Sequence, residues 1–380
     1  MIRFHLVLSV VQSTACENRA RLQFPVVTAL VQHRPRPYHV SNPQVSISDT
    51  LRACLGPLAE EVAMKTRSKF LLGALALAVL VICGTAAMFW QPDRPVAALA
   101  ARWAPPPSQF VQIAGMNVHL RDEGPADDPI PIILIHGTSA SLHTWEGWAS
   151  ALRSRHRVVS FDLPGFGLTG PSPSGDYSAE ANVRFMRALL DRLAIQHCVL
   201  AGNSLGGNIA LETAYALPDR VDKLVLVDSG GYPTVSTSVP IGFRVARIPG
   251  LNRLMQSMLP RGLIESSLRS VYGDPAKVTP ALVDRYFDMT LREGNRSALL
   301  QRFGQTDFGS RAGRIATLKL PTLIIWGGRD RLIPPENAEH FHRDIAGSRL
   351  VVFDDLGHVP QEEDPARTIA AVENFLATNG

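Results

Sequence analysis

Hydrophobic positions fall into three regimes along the chain. Residues 70–90, FLLGALALAVLVICGTAAMFW, run for 21 positions without a charge. As a helix that length crosses a hydrocarbon layer about 30 Å thick. From Phe110 the pattern changes to short apolar runs at 130–135, 157–161, 198–201, 223–227, 322–326 and 350–353. Such runs suit strands buried on both faces of a parallel sheet. Before them, FVQIAGMNVHLRD alternates on either side of Ala114-Gly115 and predicts a hairpin. Between the runs, 179–193 places Val183, Met186, Leu189, Leu190 and Leu193 at helical spacing, and a second helix is expected over 208–217, stopped by Pro218. Strands alternating with helices mean an α/β fold built on a mostly parallel sheet, with active groups at the carboxyl ends of strands. In the third regime, about 232–314, Pro240, Pro249, Pro260 and Pro280 punctuate segments that read as short helices, one over 281–292. An insertion of that size between two strands reads as a helical lid.

The apolar run has basic flanks: Lys65, Arg67 and Lys69 before it, Arg94 and Arg102 after it. The bias puts the N-terminal side in the cytoplasm and the bulk of the chain on the other side of a membrane, as a single-pass signal-anchor. A cleaved signal peptide is the competing reading, with Gly84-Thr85-Ala86-Ala87 as cleavage site and a secreted or periplasmic product. The run is longer than a usual signal core of roughly 7–15 residues, which favours the anchor. Cys83 follows Ile82 rather than a small residue, so lipidation is not expected. Residues 1–63 show no sustained period, whereas MKTRSKFLLGALALAVL from Met64 opens as targeting segments do. The expectation is a start at Met64, with 1–63 a non-native or disordered extension. Pro92, Pro95 and Pro105-Pro106-Pro107 make 91–109 a stiff extended linker that holds the domain of 110–380 off the bilayer.

Charge sharpens the division. The net of +4 invites a nucleic-acid reading, yet residues 1–69 hold nine Lys/Arg against four acidic groups. Residues 110–380 carry 27 basic and 29 acidic groups, so no nucleic-acid face is indicated on the folded part. Cys198 is alone in that part and no C-x-x-C occurs, so neither an internal disulfide nor a zinc site is expected. His340 and His342, two apart on a helix, face different ways and do not make a metal pair. Neither a metal nor a cofactor is expected.

The chemistry lies at strand ends. Gly202-Asn203-Ser204-Leu205-Gly206 follows one apolar run and opens a helix, so Ser204 stands in a sharp strand-to-helix bend with a helix N-terminus behind it. A serine nucleophile needs a base, and the base an orienting acid. His358 lies just after the last strand and Asp330 just after the preceding one, in the order Ser…Asp…His. Asp228, at the end of 223–227, is the rival acid; Asp354 and Asp355 read as solvated turn residues. The oxyanion donors expected are the backbone N–H groups of Leu205 and Thr138, with His136 orienting the loop that carries Thr138.

HGTSASLHTW, FDLPGFGLTG, GNSLGG, WGGRD and DDLGHVP, in this order, resemble the α/β-hydrolase fold superfamily. The likeness is to its lid-bearing branch with esterases and carbon–carbon bond hydrolases, and it covers about residues 110–380. It implies a sheet of about eight strands with helices on both faces and a lid inserted after 223–227. It further implies hydrolysis of a small-molecule, ester-like substrate through Ser204, His358 and Asp330. Dehalogenases and epoxide hydrolases of this fold carry an aspartate nucleophile, and Ser204 argues against both. Two other readings stay open: a carbon–carbon hydrolase of vinylogous diketones with the same triad, and a non-catalytic binding module of the same fold.

Overall fold

Alternating side chains at Ile113, Met116, Val118 and Leu120 are buried, and this sets a hairpin of β1 (Gln109–Ile113) and β2 (Met116–Glu123). Its two-residue turn, Ala114-Gly115, has positive φ at both positions, the hand that matches strand twist. A computed structural model describes residues 46–248 and 250–378. After the hairpin come β3 (Ile132–Ile135), β4 (Val158–Phe161), β5 (Cys198–Asn203), β6 (Val221–Val227), β7 (Thr322–Gly327) and β8 (Arg349–Phe353). The described residues form one eight-stranded sheet in the order β1-β2-β4-β3-β5-β6-β7-β8. β1, β2 and the β2–β4 pair are antiparallel, and every other pairing is parallel. β3 to β7 are buried along almost their whole length, as continuous apolar runs require.

The helices, in chain order, are α1 (Ile47–Phe89), α2 (Val96–Trp103), α3 (Glu146–Leu152), α4 (Ala179–Arg192), α5 (Leu205–Ala216), α6 (Ile241–Ala246), α7 (Leu251–Met255), α8 (Arg261–Val271), α9 (Pro280–Leu291), α10 (Asn295–Phe303), α11 (Glu336–Asp344), α12 (Pro360–Glu363) and α13 (Pro365–Leu376). Phe185, Met186, Leu189 and Leu190 of α4 pack with α5 on one face of the sheet. Trp145 and Trp148, with Ile369, Val372 and Phe375 of α13, cover the other. The helices α6 to α10 lie between β6 and β7, where the proline-punctuated stretch predicted a helical insertion.

Two expectations about the N-terminal region change. Residues 1–45, most of the extension expected to lack structure, lie outside the described residues. From Ile47, however, the chain is already helical and runs without a break into the apolar stretch, 43 residues in all, with Pro57 inside. Its apolar part is long enough and apolar enough to cross a membrane. The linker of 91–109 is likewise not a free extended spacer. It contains α2, whose Leu99 is buried against Leu168 and Met289. Asp93 pairs with the buried Arg296, Arg94 bonds Asp288 at 2.6 Å, and the Trp103 indole donates to Asp288 at 2.8 Å. Prolines stiffen this segment, but its charged and aromatic side chains bind it to α9 and α10. Replacing Asp288, itself 8% exposed, strands these donors. Asp288→Ala is expected to cost about 1–3 kcal/mol, since Arg94 is partly solvated. Trypsin should then cut at Arg102, and a urea titration reads the stability.

Candidate active site

β5 ends at Asn203 and α5 begins at Leu205, so Ser204 alone makes the bend, with φ 56° and ψ −115°. A non-glycine residue in that conformation is strained, and the fold holds it there through two backbone bonds. Ser204 N–H donates to Val227 O at 3.0 Å, and Gly230 N–H donates to Ser204 O at 2.9 Å. The bend also needs bare backbone on either side. A Cβ at Gly202 would lie 2.2 Å from Gly206 O, and one at Gly206 would lie 2.1 Å from Ile135 O. Gly206→Ala should therefore destabilise by about 3 kcal/mol or more, read as a drop in thermal midpoint.

His358 reaches the same place from the loop after β8. Its Nδ1 lies 2.7 Å from Asp330 Oδ2, while Asp330 Oδ1 accepts from the N–H groups of Leu332 at 2.8 Å and Ile333 at 3.0 Å. The carboxylate is thus an acceptor on both oxygens. An imidazole that donates Nδ1–H to this acceptor leaves Nε2 free to take a proton. The loop is pinned as well: His358 N–H donates to Val271 O at 2.7 Å, and Asn203 Nδ2 donates to His358 O at 2.9 Å.

The rival acid, Asp228, is fully buried and sits against this pair. Its Oδ1 accepts from Gly327 N–H at 3.0 Å. Burial, then the neighbouring Asp330 charge, push its carboxyl well above the usual aspartate range. Asp228 is therefore the carboxyl whose surroundings favour holding a proton, and Asp330 the one whose oxygens meet imidazole and two backbone N–H groups. Asp228, Asp330 and His358 bring ligand atoms within 4.8 Å of one another, a set that could by composition hold a cation. The lone pairs of Asp330 are already engaged by three N–H donors, which fits a base-orienting acid better.

Ser204, His358 and Thr138 line one cavity of about 670 Å³. The loop after β3 lies against the serine, since a Cβ at Gly137 would be 3.2 Å from Ser204 Cβ. Leu205 is buried at the first turn of α5. His136 is held in place as a loop-orienting residue: its Nδ1 lies 2.7 Å from Gly137 O, and its Nε2 accepts from Leu163 N–H at 3.0 Å. Burial lowers its pKa, so it stays neutral. Asp354 and Asp355 are exposed, Asp355 pairing with Arg367 at 2.8 Å. His340 stacks edge-on to Tyr232 while His342 bonds Ser348, so the two do not converge.

Sequence reasoning missed two residues that hold this site. Asn203 ties the serine bend to the histidine loop. The buried Glu363 accepts from Gly357 and Gly273 at 2.9 Å and from Asp274 at 2.8 Å, joining that loop to the helical insertion. Neither carries a local signal, because a buried helical glutamate reads like a solvated one until its partners fold around it.

A family model described as alpha/beta hydrolase fold matches residues 130–365. An uncharacterized protein of Mycobacterium tuberculosis is 35% identical over 291 residues, covering 72% of this chain and 82% of its own. The 2-hydroxy-6-oxononadienedioate/2-hydroxy-6-oxononatrienedioate hydrolase of Escherichia coli K12 is 29% identical, covering 69% of this chain and 91% of its own. A thermophilic esterase from Thermogutta terrifontis has a similar structure, with TM-score 0.60 and 26% identity over 70% of this chain and 98% of its own.

Proposed function

The chain belongs to the α/β-hydrolase fold family, and on that premise we propose that it is a membrane-anchored serine hydrolase that cleaves carboxylic esters. The observation that carries the reading is the buried relay of Asp330 and His358 beside a strained Ser204 on the wall of one large cavity. His358 Nε2 takes the Ser204 proton as Oγ attacks the ester carbonyl, and Asp330 stabilises the imidazolium. The N–H groups of Leu205 and Thr138 hold the oxyanion. His358 then protonates the departing alcohol, and water releases the acid from the acyl-enzyme. The apolar walls suit the substrate: Phe243, Leu263, Leu299, Phe303 and Val359 are among the lining residues.

The apolar part of α1 and its basic flank support a single-pass anchor with the hydrolase on the non-cytoplasmic side. Alkaline carbonate extraction should leave the chain in the membrane pellet; release into the supernatant would support a cleaved signal instead.

A second reading is a carbon–carbon hydrolase of vinylogous diketones. The E. coli relative is named for a dicarboxylate, and this cavity has a buried feature suited to an anion. Arg302 lines it, is 2% exposed, and has no carboxylate partner among the described residues. Burial pulls its pKa down to about 10, so it remains cationic at neutral pH. An ester panel run beside a yellow ring-cleavage product separates the two readings. Faster turnover of the esters is the expected result; faster bleaching of the dienoate would overturn it. Covalent labelling of Ser204 by a fluorophosphonate excludes an inert binding module.

A further inference from the structure

The stretch between Asp228 and Glu265 contains no acidic residue and four arginines, 244, 247, 253 and 261. It includes α6 and α7. Arg244, Arg247 and Arg253 are exposed, and none of them pairs with a carboxylate among the described residues, whereas many other surface arginines do. Interleaved with them, Ile241, Ile248, Leu251 and Leu254 are 42–54% exposed. Side chains of that kind, gathered with unpaired cations on two short helices and the turn after the first, make a poor water-facing surface and a good interfacial one.

This face is attached to the end of the apolar helix. Leu259 N–H donates to Phe89 O at 3.1 Å, Gln91 N–H donates to Ser257 O at 2.8 Å, and Trp90 bridges Met258 in antiparallel fashion. Phe89 is the last residue of α1, and the exposed Trp90 stands where an interfacial aromatic would. The segment that follows α7 therefore lies at the level where the helix leaves the bilayer. The same segment reaches the catalytic cavity: Arg247, Met255 and Leu259 are on its wall.

We propose that the α6–α7 face rests on an anionic phospholipid bilayer and that the ester substrate is an acyl lipid entering from it. The proposal rests on the membrane-anchored serine-hydrolase reading and adds to it the substrate class and the route. Arg244, Arg247 and Arg253 neutralise headgroup phosphates, and the apolar side chains sit among the upper acyl carbons. A lipid chain passing Met255 and Leu259 reaches the cavity that holds Ser204. There the lipid acyl C–O bond breaks as the Ser204 acyl ester forms. His358 passes the serine proton to the departing lyso-lipid oxygen, and water releases the fatty acid.

The test uses the full chain in liposomes of phosphatidylcholine, with and without one-third phosphatidylglycerol. The comparison is with Leu251→Asp/Leu254→Asp and with Arg244→Glu/Arg253→Glu, which alter no cavity-lining residue. Fatty-acid release from the bilayer, turnover of p-nitrophenyl butyrate in water, and flotation with the liposomes are read together. For the wild type, added phosphatidylglycerol should raise fatty-acid release several-fold. Both variants should lose at least tenfold of that release while floating normally and keeping butyrate turnover within twofold. Unchanged fatty-acid release in both variants, or none from the wild type while butyrate is cleaved, overturns the proposal alone. Failure of the wild type to float, or to cleave any ester, overturns the reading beneath it.

Discussion

Ser204→Ala is expected to remove hydrolysis of a short p-nitrophenyl ester, with kcat falling on the order of 10⁴-fold or more. The size of the effect follows from the reaction path, since without Oγ no acyl-enzyme forms and the His358–Asp330 relay has no proton to move. The fold should survive. Ser204 is held by its backbone, to Val227 and Gly230, and its side chain is not used as a helix cap. An unchanged melting curve, loss of fluorophosphonate labelling and lost turnover together identify the nucleophile. Retained turnover in a correctly folded variant would overturn the assignment.

The second large effect separates the two buried aspartates. Asp330→Asn should lower kcat by about 10⁴-fold, because an amide can present its N–H₂ to His358 and favour the wrong imidazole tautomer. Asp228→Asn should stay within about tenfold of wild type, since burial already favours the uncharged form of that carboxyl and Asn is neutral and of similar shape. The pH dependence of stability checks the same point. Asp228 has a folded pKa raised above its unfolded value by burial and by Asp330. The folded state therefore holds an extra proton between those two values, and its stability falls as pH rises through that window. Asp228→Asn should remove this decline, visible as a flatter plot of unfolding midpoint against pH above about 4. If Asp228→Asn abolishes activity and Asp330→Asn does not, the two roles are exchanged.

Much of this site is legible in the sequence. The G-x-S-x-G run placed Ser204 in a strand-to-helix bend because two glycines at that spacing serve a backbone too crowded for side chains. The apolar runs placed His358 and Asp330 after adjacent strands, and parallel pairing of β7 and β8 brings those ends together. The sequence favours Asp330 but leaves Asp228 as a rival, as both follow strands that reach the same edge, and the choice between them is made in space. It depends on which carboxylate meets imidazole, since both accept from backbone N–H groups. The linker departs from its expected extended form for a related reason. Prolines report local stiffness, whereas the attachments of Asp93, Arg94 and Trp103 are to residues roughly 200 positions away.

The sequence by itself determined what is local and periodic: the apolar span, the alternation of strands and helices, the insertion, and the residue types of the relay. Periodicity and chain stereochemistry are short-range properties, so they can be read within a window of a few residues. The tertiary structure alone decided what depends on distant neighbours. It set Asp330 against imidazole and left Asp228 in surroundings that favour its uncharged form, and it joined the serine bend to the histidine loop through Asn203. It also set the cationic, apolar face of α6 and α7 beside the end of the apolar helix. Desolvation and charge–charge contact act across space rather than along the chain, and only the folded chain fixes which groups meet.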